Sequence, residues 1–464
     1  MIPVSPADGI SGEMAGSRGL LDAYGRRLRR GQPWRWRGEV LQAVGLTIES
    51  QGPNCSVGEC CEIVDRNHLR HLAEVIGFRG STVLSMPVNA PEGIRYGDAV
   101  EALGSNPEIE VGPGMMGRVL DALGRPIDED NRGVAGGRAG AGPMPAASAL
   151  ALDGPVRLPL ERAPIRTPLG TGIRVIDALL TVGRGQRVGI FGGSGVGKST
   201  LIGMMTRNTS ADVTVVGLVG ERGREVGEFL EDALGEEGRK RSVVLVSTSD
   251  QSPLMRIRAA LAATTVAEYF AAQGRHVLLV LDSLTRFAMA AREIGLAAGE
   301  PATAKGYTPS VFTRLAKLVE RAGNFRTGSI TAFYTVLMEG DDQQDPLVDA
   351  VRSLLDGHVV LSRSMAAEGW YPPVQVLDSV SRLMPMVATA EHRESAALVR
   401  RLLAAYARSE DLVRIGAYKP GTDEDLDRAL GARPLLREFM AQEAQERMSF
   451  SECVERLAEL AAEI

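Results

Sequence analysis

The stretch GIFGGSGVGKST, residues 189–200, decides the fold of this chain. It contains the pattern Gly-x-x-x-x-Gly-Lys-Ser from Gly192 to Ser199, after a short apolar run and before a helical pattern. Glycines in such a turn let backbone N–H groups converge on phosphate oxygens, and the following helix adds positive charge at its N-terminus. The complete pattern in this context predicts a phosphate-binding loop (P-loop) rather than a chance glycine-rich turn.

A P-loop of this form predicts binding of ATP with Mg²⁺. Lys198 is expected to reach the β- and γ-phosphates, and the Ser199 hydroxyl is expected to bind the metal ion. The loop residues expected to contact the nucleotide are Gly192, Gly193, Ser194, Gly195, Val196, Gly197, Lys198, Ser199 and Thr200.

The regions on either side of the loop differ in their hydrophobic patterns. Between about residues 163 and 385, the continuous apolar runs RVGIF, VTVVGLV, SVVLVST, HVLLVLD and SITAFYTV alternate with amphipathic stretches, which predicts a parallel α/β core covered on both faces. Short runs over 39–104 predict a small all-β barrel or sandwich. From about residue 390, apolar residues recur at i, i+3 and i+4, which predicts a small helical domain. The Gly/Ala-rich segment 133–150 is predicted to be a loop or linker.

Composition limits the possible functions of the chain. The 464 residues carry a formal net charge of −6 and only 5% aromatic residues, which argues against a general polyanion binder and against a surface of base-stacking platforms but leaves a local basic patch open. The four cysteines and five histidines lack metal-site spacing. We find neither a long apolar run nor a signal peptide and expect a cytoplasmic protein. Leu20 to Leu28, among arginines, fit a short amphipathic helix or an equally plausible frayed terminus.

Two acidic residues follow predicted strands. Asp282 ends HVLLVLD and is expected to hold Mg²⁺ from a strand beside the P-loop strand, although Asp-Ser also begins helices. Glu221 follows VTVVGLVG directly and could act as a general base, but a surface ion-pair cluster with Arg222, Arg224 and Glu225 is an equal alternative from the residues alone.

Several long strings resemble the ATPase of type III protein export systems, within the rotary ATP synthase β-subunit superfamily. The resemblance covers nearly the whole chain from about Gly38. It rests on GRVLDALGRPID, TGIRVIDALLTVGRGQRVGIFGGSGVGKST, GERGREV, DSLTRFAMAAREIGLAAGEPATAKGYTPSVF, EGDDQQDP, DGHVVLSR and YPPVQVLDSVSRLMP. The flagellar member is the most similar in these strings, and the injectisome (virulence secretion) ATPase is the alternative.

The resemblance implies a role for each matching residue. Glu221 corresponds to the catalytic glutamate and Arg222 to a neighbouring phosphate-binding arginine. Asp282 corresponds to the metal-holding aspartate, and Arg286 to an arginine near the γ-phosphate. The remaining two matches are Tyr371, the aromatic residue that packs on adenine, and Arg382, an arginine finger that enters the site of the neighbouring subunit.

The resemblance also implies an architecture and partners. We expect a RecA-like P-loop core with an N-terminal β-barrel and a C-terminal helical domain, assembled as a ring of six identical subunits. The expected divisions are an arm over 1–37 as the candidate site for a stator-like regulator, the barrel over 38–104, the ATPase domain over 105–385 and the helical domain over 386–464. Further implied partners are a central stalk protein facing residues 295–307, export chaperone–substrate complexes, and a membrane export gate at the inner membrane.

Three other functions use similar parts. A hexameric RNA translocase resembling Rho shares the ring and the loop but needs a basic, aromatic-bearing barrel. A non-catalytic ring subunit would bind nucleotide without turnover, and Glu221, Asp282 and Arg382 argue against it. A rotary synthase β-subunit is disfavoured by EGDDQQDP, by TRFAM and by the lack of a strongly acidic cluster early in the helical region.

Overall fold

The computed structural model divides the chain into two compact units, Met1–Asn106 and Pro107–Ile464. It describes residues 36–128, 148–154, 157–338 and 345–464. The predicted helix at Leu20 to Leu28, most of the 133–150 linker and most of EGDDQQDP lie outside these described residues.

The first unit contains a closed six-stranded barrel. Its strands are β1 Arg37–Val44, β2 Thr47–Gln51, β3 Cys60–Val64, β4 Arg70–Arg79, β5 Thr82–Pro87 and β6 Ala99–Ala102. The strands pair in the order β1-β2-β5-β4-β3-β6, and every pair is antiparallel. Val40, Ile48 and Ile63 point into a small apolar core, while neighbouring residues face outward as the two-residue period of a strand requires. The predicted N-terminal barrel is confirmed.

The second unit is built on a nine-stranded sheet. Its strands are β8 Val119–Asp121, β12 Arg187–Gly192, β13 Val213–Glu221, β14 Ser242–Thr248, β15 His276–Asp282, β16 Gly323–Asn324, β17 Ser329–Leu337, β18 Gly357–Val360 and β19 Val380–Ser381. Eight strands lie in the order β19-β18-β12-β17-β15-β13-β14-β8, and β16 pairs with β17. All pairings are parallel except those of β19 and β16. The predicted parallel α/β core is confirmed.

Two small ribbons complete the strands of this unit. They pair β7 Glu108–Val111 with β9 Ser148–Ala151, and β10 Pro168–Leu169 with β11 Val182–Gly183. The predicted linker therefore ends earlier than expected, because its last three residues belong to β9 and hydrogen-bond to β7. Alternating small and apolar residues suffice for a short strand once a partner edge lies beside them.

Helices cover the sheet and form the C-terminal region. They are α1 Arg174–Leu179, α2 Lys198–Asn208, α3 Gly223–Glu228, α4 Gly235–Lys240, α5 Pro253–Ala272, α6 Leu284–Ala297, α7 Pro309–Val319, α8 Pro346–Leu354, α9 Arg363–Ala367, α10 Met384–Val387, α11 Ala390–Arg414, α12 Glu424–Met440 and α13 Phe450–Glu463. Short 3₁₀ turns occur at Pro113–Met115, Pro159–Glu161 and Ala304–Gly306, and Phe229–Leu234 is π-helical. The C-terminal helices predicted from the sequence are confirmed.

One apolar core joins the sheet to the C-terminal helices. Val399 and Leu402 of α11, Leu436 of α12 and Leu457 of α13 belong to the same buried cluster as Ile190 of the P-loop strand. Burial of each such side chain contributes about 1.5–3 kcal/mol of transfer free energy. The helices from α11 onward and the sheet therefore form one compact unit, in agreement with the division at Asn106.

Because the central strands are parallel, their carboxyl ends lie along one edge of the sheet. β12, β15 and β13 each run from the same edge and end at Gly192, Asp282 and Glu221. β17 lies between β12 and β15, so the expectation that Asp282 ends a strand directly beside the P-loop strand is wrong. The chain inserts the later strand β17 there, an order that apolar patterning alone does not encode.

Within the described residues, none of the helices combines the length and the apolar character needed to cross a membrane.

Close packing of α2, the helix that carries the P-loop lysine, gives a stability prediction. A Cβ on Gly203 would lie 2.5 Å from the Ala233 carbonyl oxygen and 2.7 Å from Ala233 Cβ. We expect Gly203→Ala to lower the free energy of unfolding by about 1–3 kcal/mol, because overpacking forces backbone shifts. Urea unfolding followed by circular dichroism measures the change.

The matched control is Gly431→Ala in α12, where a Cβ would meet nothing within 4 Å. It should leave stability unchanged or raise it by up to about 1 kcal/mol, the helix-propensity gain of alanine over glycine. Equal urea midpoints for Gly203→Ala and the unsubstituted protein would show that α2 does not pack as described.

Candidate active site

The P-loop joins the end of β12 to the start of α2 through two left-handed glycines. Gly195 has φ 78° and Gly197 has φ 88°, a backbone region that side chains other than glycine rarely adopt. Gly197 is the N-cap of α2, and no side chain of the described residues caps this helix end. The N–H groups of the first helical turn therefore remain available for an anion.

The loop residues differ in exposure in a way that suits a phosphate cradle. Ser194, Gly195, Ser199 and Thr200 are exposed, whereas Val196 is buried and anchors the loop. Exposed backbone and hydroxyl groups around a buried apolar anchor present donors to a ligand while the loop keeps its shape.

Lys198 lies inside the loop, with its side chain turned back over it. The residue is only 8% exposed, and its Nζ donates a hydrogen bond to the Gly192 carbonyl oxygen at 3.0 Å. Burial lowers the pKa of Lys198, although the nearby charges of Asp282 and Glu221 act to raise it. The Lys198 ammonium group therefore donates to a neutral carbonyl oxygen, whereas a phosphate would offer it negatively charged oxygens.

Asp282 is buried at the end of β15. Its Oδ1 accepts a hydrogen bond of 2.6 Å from the Thr335 hydroxyl on β17, the strand between Asp282 and the P-loop. Burial raises the pKa of Asp282, while the Thr335 hydrogen bond and the charge of Lys198 oppose that rise. The carboxylate is thus held in a fixed position facing the P-loop lysine.

Glu221 ends β13, the strand next to β15, and is half-buried. Burial, the charge of Asp282 and a hydrogen bond with Glu225 raise the pKa of Glu221 to about 8, and Arg286 opposes the rise. Three carboxyl groups therefore lie close together with insufficient positive charge, which is the arrangement that a cation-bearing ligand would relieve. Sequence reasoning gave Glu225 no role beyond a surface cluster.

Arg286 projects from the first turn of α6 toward these groups. Its charge acts on Lys198, Glu221 and Asp282. Its Nε is buried and has no hydrogen-bond partner among the described residues. Gly220, at φ 72°, lets the arginine stem pass, because a Cβ there would lie 3.0 Å from Arg286 Cβ. The structure thus brings Arg286 to the site with donor capacity unused.

Arg222 is placed differently from its expected phosphate-binding role. Its side chain is 75% exposed and lies 3.6 Å from Glu225 Oε1, in a loose ion pair at the start of α3. The structure does not hold it against the P-loop, and its role stays a prediction.

Tyr371 borders a cavity of about 580 Å³ beside the P-loop. Its Cε1 lies 4.0 Å from the point where a Cβ on Gly197 would be, and Thr200, Leu201 and Met204 of α2 form the adjoining wall. Tyr371 is 53% exposed, so its ring is accessible to a flat ligand. A cavity next to a phosphate cradle, with an exposed aromatic ring and apolar side chains along one wall, suits a nucleobase.

The opposite wall of this cavity comes from the C-terminal region, which sequence reasoning did not assign to the site. Buried Gln442 donates from its backbone N–H to the Tyr371 carbonyl oxygen at 2.8 Å. Its side chain accepts from the Arg174 N–H at 2.8 Å and donates to the Gly172 carbonyl oxygen at 2.9 Å. Only the fold reveals this contact, because Gln442 is 268 residues from Arg174 along the chain.

Arg363 is a second residue beside the P-loop to which the sequence patterns assigned no role. Its guanidinium Nη2 lies 2.5 Å from the point where a Cβ on Gly193 would be, so it packs directly against the P-loop backbone. It ends the string DGHVVLSR, which entered the resemblance without a role for the arginine.

Arg382 lies at the opposite edge of the sheet from the P-loop. Its backbone N–H donates to the Asp356 carbonyl oxygen at 3.0 Å, and the Asp356 N–H donates to Arg187, the first residue of β12. Gly192, at the other end of β12, is five residue steps away, or about 17 Å at 3.3 Å per residue. The exposed side chain therefore cannot reach the P-loop of its own chain.

The residues of the site fit a hard divalent cation bound together with phosphate. The Ser199 hydroxyl and the Asp282 carboxylate are the oxygen donors that Mg²⁺ prefers. The described residues contain no cluster of three or more His, Cys, Asp or Glu side chains able to hold a metal by themselves. Magnesium usually keeps few protein ligands and binds through substrate phosphates, which agrees with this donor set.

Comparison with known proteins adds independent findings. The profile of the ATP synthase alpha/beta family, nucleotide-binding domain, matches residues 172–381, and that of the T3SS EscN ATPase C-terminal domain matches residues 388–459. The flagellum-specific ATP synthase of Treponema pallidum is 51% identical over 95% of this chain and 96% of its own length. The type 3 secretion system ATPase of Xanthomonas euvesicatoria is 44% identical over 90% of this chain and 93% of its own.

Solved structures agree with these matches. The assembled ATPase EscN in complex with its central stalk EscO, from the type III secretion system of enteropathogenic E. coli, superposes with a TM-score of 0.82. The two chains are 41% identical, and the match covers 91% of this chain and all of that one.

The raised pKa of Glu221 makes stability depend on pH. Between the ordinary glutamate pKa of 4.5 and the folded value of about 8, the folded state binds more protons than the unfolded state. The free energy of unfolding should therefore fall as pH rises through this window. In nucleotide-free protein, Glu221→Gln should flatten that fall, as measured by urea unfolding at pH 5, 6, 7 and 8.

The control is Glu459→Gln, an exposed position on α13. It should leave the pH dependence of unfolding as in the unsubstituted protein. An equal slope for Glu221→Gln and the control would contradict the burial and charge crowding assigned to Glu221.

Proposed function

The chain belongs to the family of flagellum-specific ATP synthases and type 3 secretion system ATPases, within the ATP synthase alpha/beta family, and we propose that it hydrolyses ATP to drive flagellar protein export. The observation that carries the proposal is the site itself. Lys198 in a complete P-loop faces Asp282 and Glu221 at the ends of β15 and β13. This is the set of groups that phosphoryl transfer to water requires.

Binding begins at the loop and the cavity. The free N–H groups of the first turn of α2 hold phosphate oxygens, and Lys198 exchanges the Gly192 carbonyl for the β- and γ-phosphates. The base packs on Tyr371 within the cavity. Gln442 and Arg174 fix the far wall and prevent it from collapsing.

Mg²⁺, when bound with ATP, would neutralise charge on the phosphates, and Ser199 with Asp282 would hold it. The Thr335 hydrogen bond keeps the Asp282 carboxylate oriented for that purpose. Arg286 has an unused donor and lies near the same groups, so it stabilises the charge that develops on the γ-phosphate.

Glu221 is the proposed general base. It orients the attacking water and accepts its proton, a role for which a pKa near the working pH is favourable. The hydrogen bond with Glu225 favours the protonated form of Glu221 and is given up when Glu221 becomes the base. Added positive charge from the bound substrate complex and Arg286 favours the deprotonated form that a base must have.

Catalysis is completed by a second copy of the chain. Arg382 lies at the far edge of the sheet from its own P-loop, so a finger role requires a neighbouring subunit with its P-loop turned toward it. Head-to-tail contacts of this kind form a ring when the rotation between neighbouring subunits closes. We propose a ring of six identical subunits with ATP sites at the interfaces, and the related EscN is known as an assembled ATPase with a central stalk.

The cellular role follows from the same family. We propose that the ring is cytoplasmic, associates peripherally with the inner-membrane export apparatus, and surrounds a stalk protein in its channel. ATP hydrolysis would release chaperones from export substrates and promote substrate unfolding, with a stator-like regulator bound at residues 1–37. The 51% identity to a flagellum-specific relative, against 44% to a secretion ATPase, favours the flagellar system over an injectisome.

The Lys198→Ala variant tests the activity. It should lower the ATPase rate at least about 100-fold, because both the phosphate-binding charge and the transition-state stabilisation are lost. Glu221→Gln should lower it comparably while leaving the affinity for a fluorescent ATP analogue within about threefold, since only the base is removed. Substantial turnover in either purified variant would contradict the assignment.

The same variant separates the two export systems. A source strain that carries only Lys198→Ala should lose secretion of filament protein while retaining any effector secretion. Loss of effector secretion with intact filaments would assign the chain to an injectisome instead.

A further inference from the structure

The segment that carries Arg382 is held to the sheet edge by a set of contacts with no role in nucleotide binding. Strand β19 pairs antiparallel with β18 through only two residue pairs, Gly357 with Ser381 and His358 with Val380. A two-residue pairing at a sheet edge is weak by itself. The position of Arg382 therefore depends on additional contacts from the neighbouring elements.

Gln186 supplies the first of these contacts. It is fully buried immediately before β12, and its Oε1 accepts from the Gly183 N–H at 2.8 Å. Its Nε2 donates to the Asp356 carbonyl oxygen at 3.1 Å and to the Ser381 hydroxyl at 3.2 Å. The Asp356 carbonyl is the one that also accepts the Arg382 N–H. Gln186, which directly precedes the P-loop strand β12, thus binds both the carbonyl group that accepts the Arg382 N–H and the residue that precedes Arg382.

Ser381 closes the arrangement on the other side. Its hydroxyl donates to the Thr181 carbonyl oxygen at 2.7 Å while it accepts from Gln186. The residue directly before Arg382 therefore has its side chain fixed at two points inside the protein, whereas the Arg382 side chain is exposed.

Gly357 allows the close approach of the two strands. A Cβ at this position would lie 2.6 Å from the Val380 carbonyl oxygen, 3.1 Å from Gln186 Nε2 and 3.2 Å from Ser381 Cα. The nearest of these atoms is backbone, which cannot rotate out of the way. Any larger residue at 357 must push β19 outward by roughly half an ångström or more.

Asp356 and Arg187 fix the base of the arrangement. Arg187 donates from its backbone N–H and its Nε to Asp356 Oδ2 at 3.1 and 3.0 Å, and from Nη2 to Oδ1 at 3.1 Å. Arg187 also pairs with Glu320, which caps the C-terminal end of α7. The carbonyl that receives Arg382 is therefore held by a half-buried ion-pair network.

We propose that Gln186 and Gly357 are positioning residues for Arg382, and that they fix the angle at which it enters the active site of the neighbouring subunit. The proposal rests on the proposed trans action of Arg382. The catalytic effect of a charged group depends on its placement within about half an ångström, and a misplacement of about 1 Å can cost about 100-fold in rate. Two strand pairs alone would not give that precision, and the buried amide supplies it.

Gly357→Ala tests this directly, because the added methyl group displaces β19 without altering any group at the P-loop. The homogeneous variant should lose at least about tenfold in ATPase rate, with its affinity for a fluorescent ATP analogue unchanged. Ser381→Ala is a second variant that adds no bulk and should lower the rate in the same direction. Gly431→Ala serves as the control, with no loss of rate.

Mixed assemblies show whether the loss acts through Arg382. A Lys198→Ala subunit has an inactive P-loop but an intact Arg382 segment, whereas a Gly357→Ala subunit has an intact P-loop and a displaced segment. Mixing the two at equal ratio should restore roughly a quarter of the wild-type rate. Half of the P-loops are then intact, and half of these have a neighbouring subunit with an intact Arg382 segment. A parallel mixture of Lys198→Ala with Arg382→Ala should recover to the same extent.

The outcomes separate the two proposals. Recovery of rate in the mixture of Lys198→Ala with Arg382→Ala, but not in the mixture of Lys198→Ala with Gly357→Ala, would overturn the positioning role and leave the trans action of Arg382 intact. If neither mixture recovers activity although light scattering shows that rings have assembled, the trans action on which the inference rests is overturned. A Gly357→Ala ring with the wild-type rate would also overturn the inference.

Discussion

The electrostatic balance at one edge of the parallel sheet determines the rest of the site. Asp282 and Glu221 are held close together at the ends of neighbouring strands, and burial makes their ionisation costly. Lys198 and Arg286 supply positive charge nearby but do not bring Glu221 back to its ordinary pKa. Such a site is adapted to a ligand that brings both phosphates and a cation, since the ligand completes the charge pattern.

In the proposed ring, the same sheet serves catalysis at both of its edges. Its carboxyl edge carries the P-loop and the acidic residues, while its amino edge carries Arg382 about one strand length away. If Arg382 acts in trans as proposed, a single chain carries parts of two different active sites, and these parts face in different directions. Under the proposed trans action of Arg382, this separation makes assembly a condition of activity and gives the buried contacts of Gln186 a role beyond stability.

The sequence predicted the parts of the fold that depend on local patterns. Continuous apolar runs identified the core strands, and the complete glycine pattern before Lys198 identified the loop, because each is encoded within about ten residues. The strand order could not be predicted from local patterns, because the placement of β17 between β12 and β15 is set by long-range packing. Gln442 and Arg363 were missed for a related reason: each approaches the loop only through the tertiary fold.

A structure with a non-hydrolysable ATP analogue and Mg²⁺ tests the central claim most directly. We predict that Lys198 Nζ leaves the Gly192 carbonyl and contacts the β- and γ-phosphates, with the base against Tyr371 and the metal ion near Ser199 and Asp282. A loop without phosphate, with Lys198 still on Gly192 and the analogue bound at another place, would contradict it.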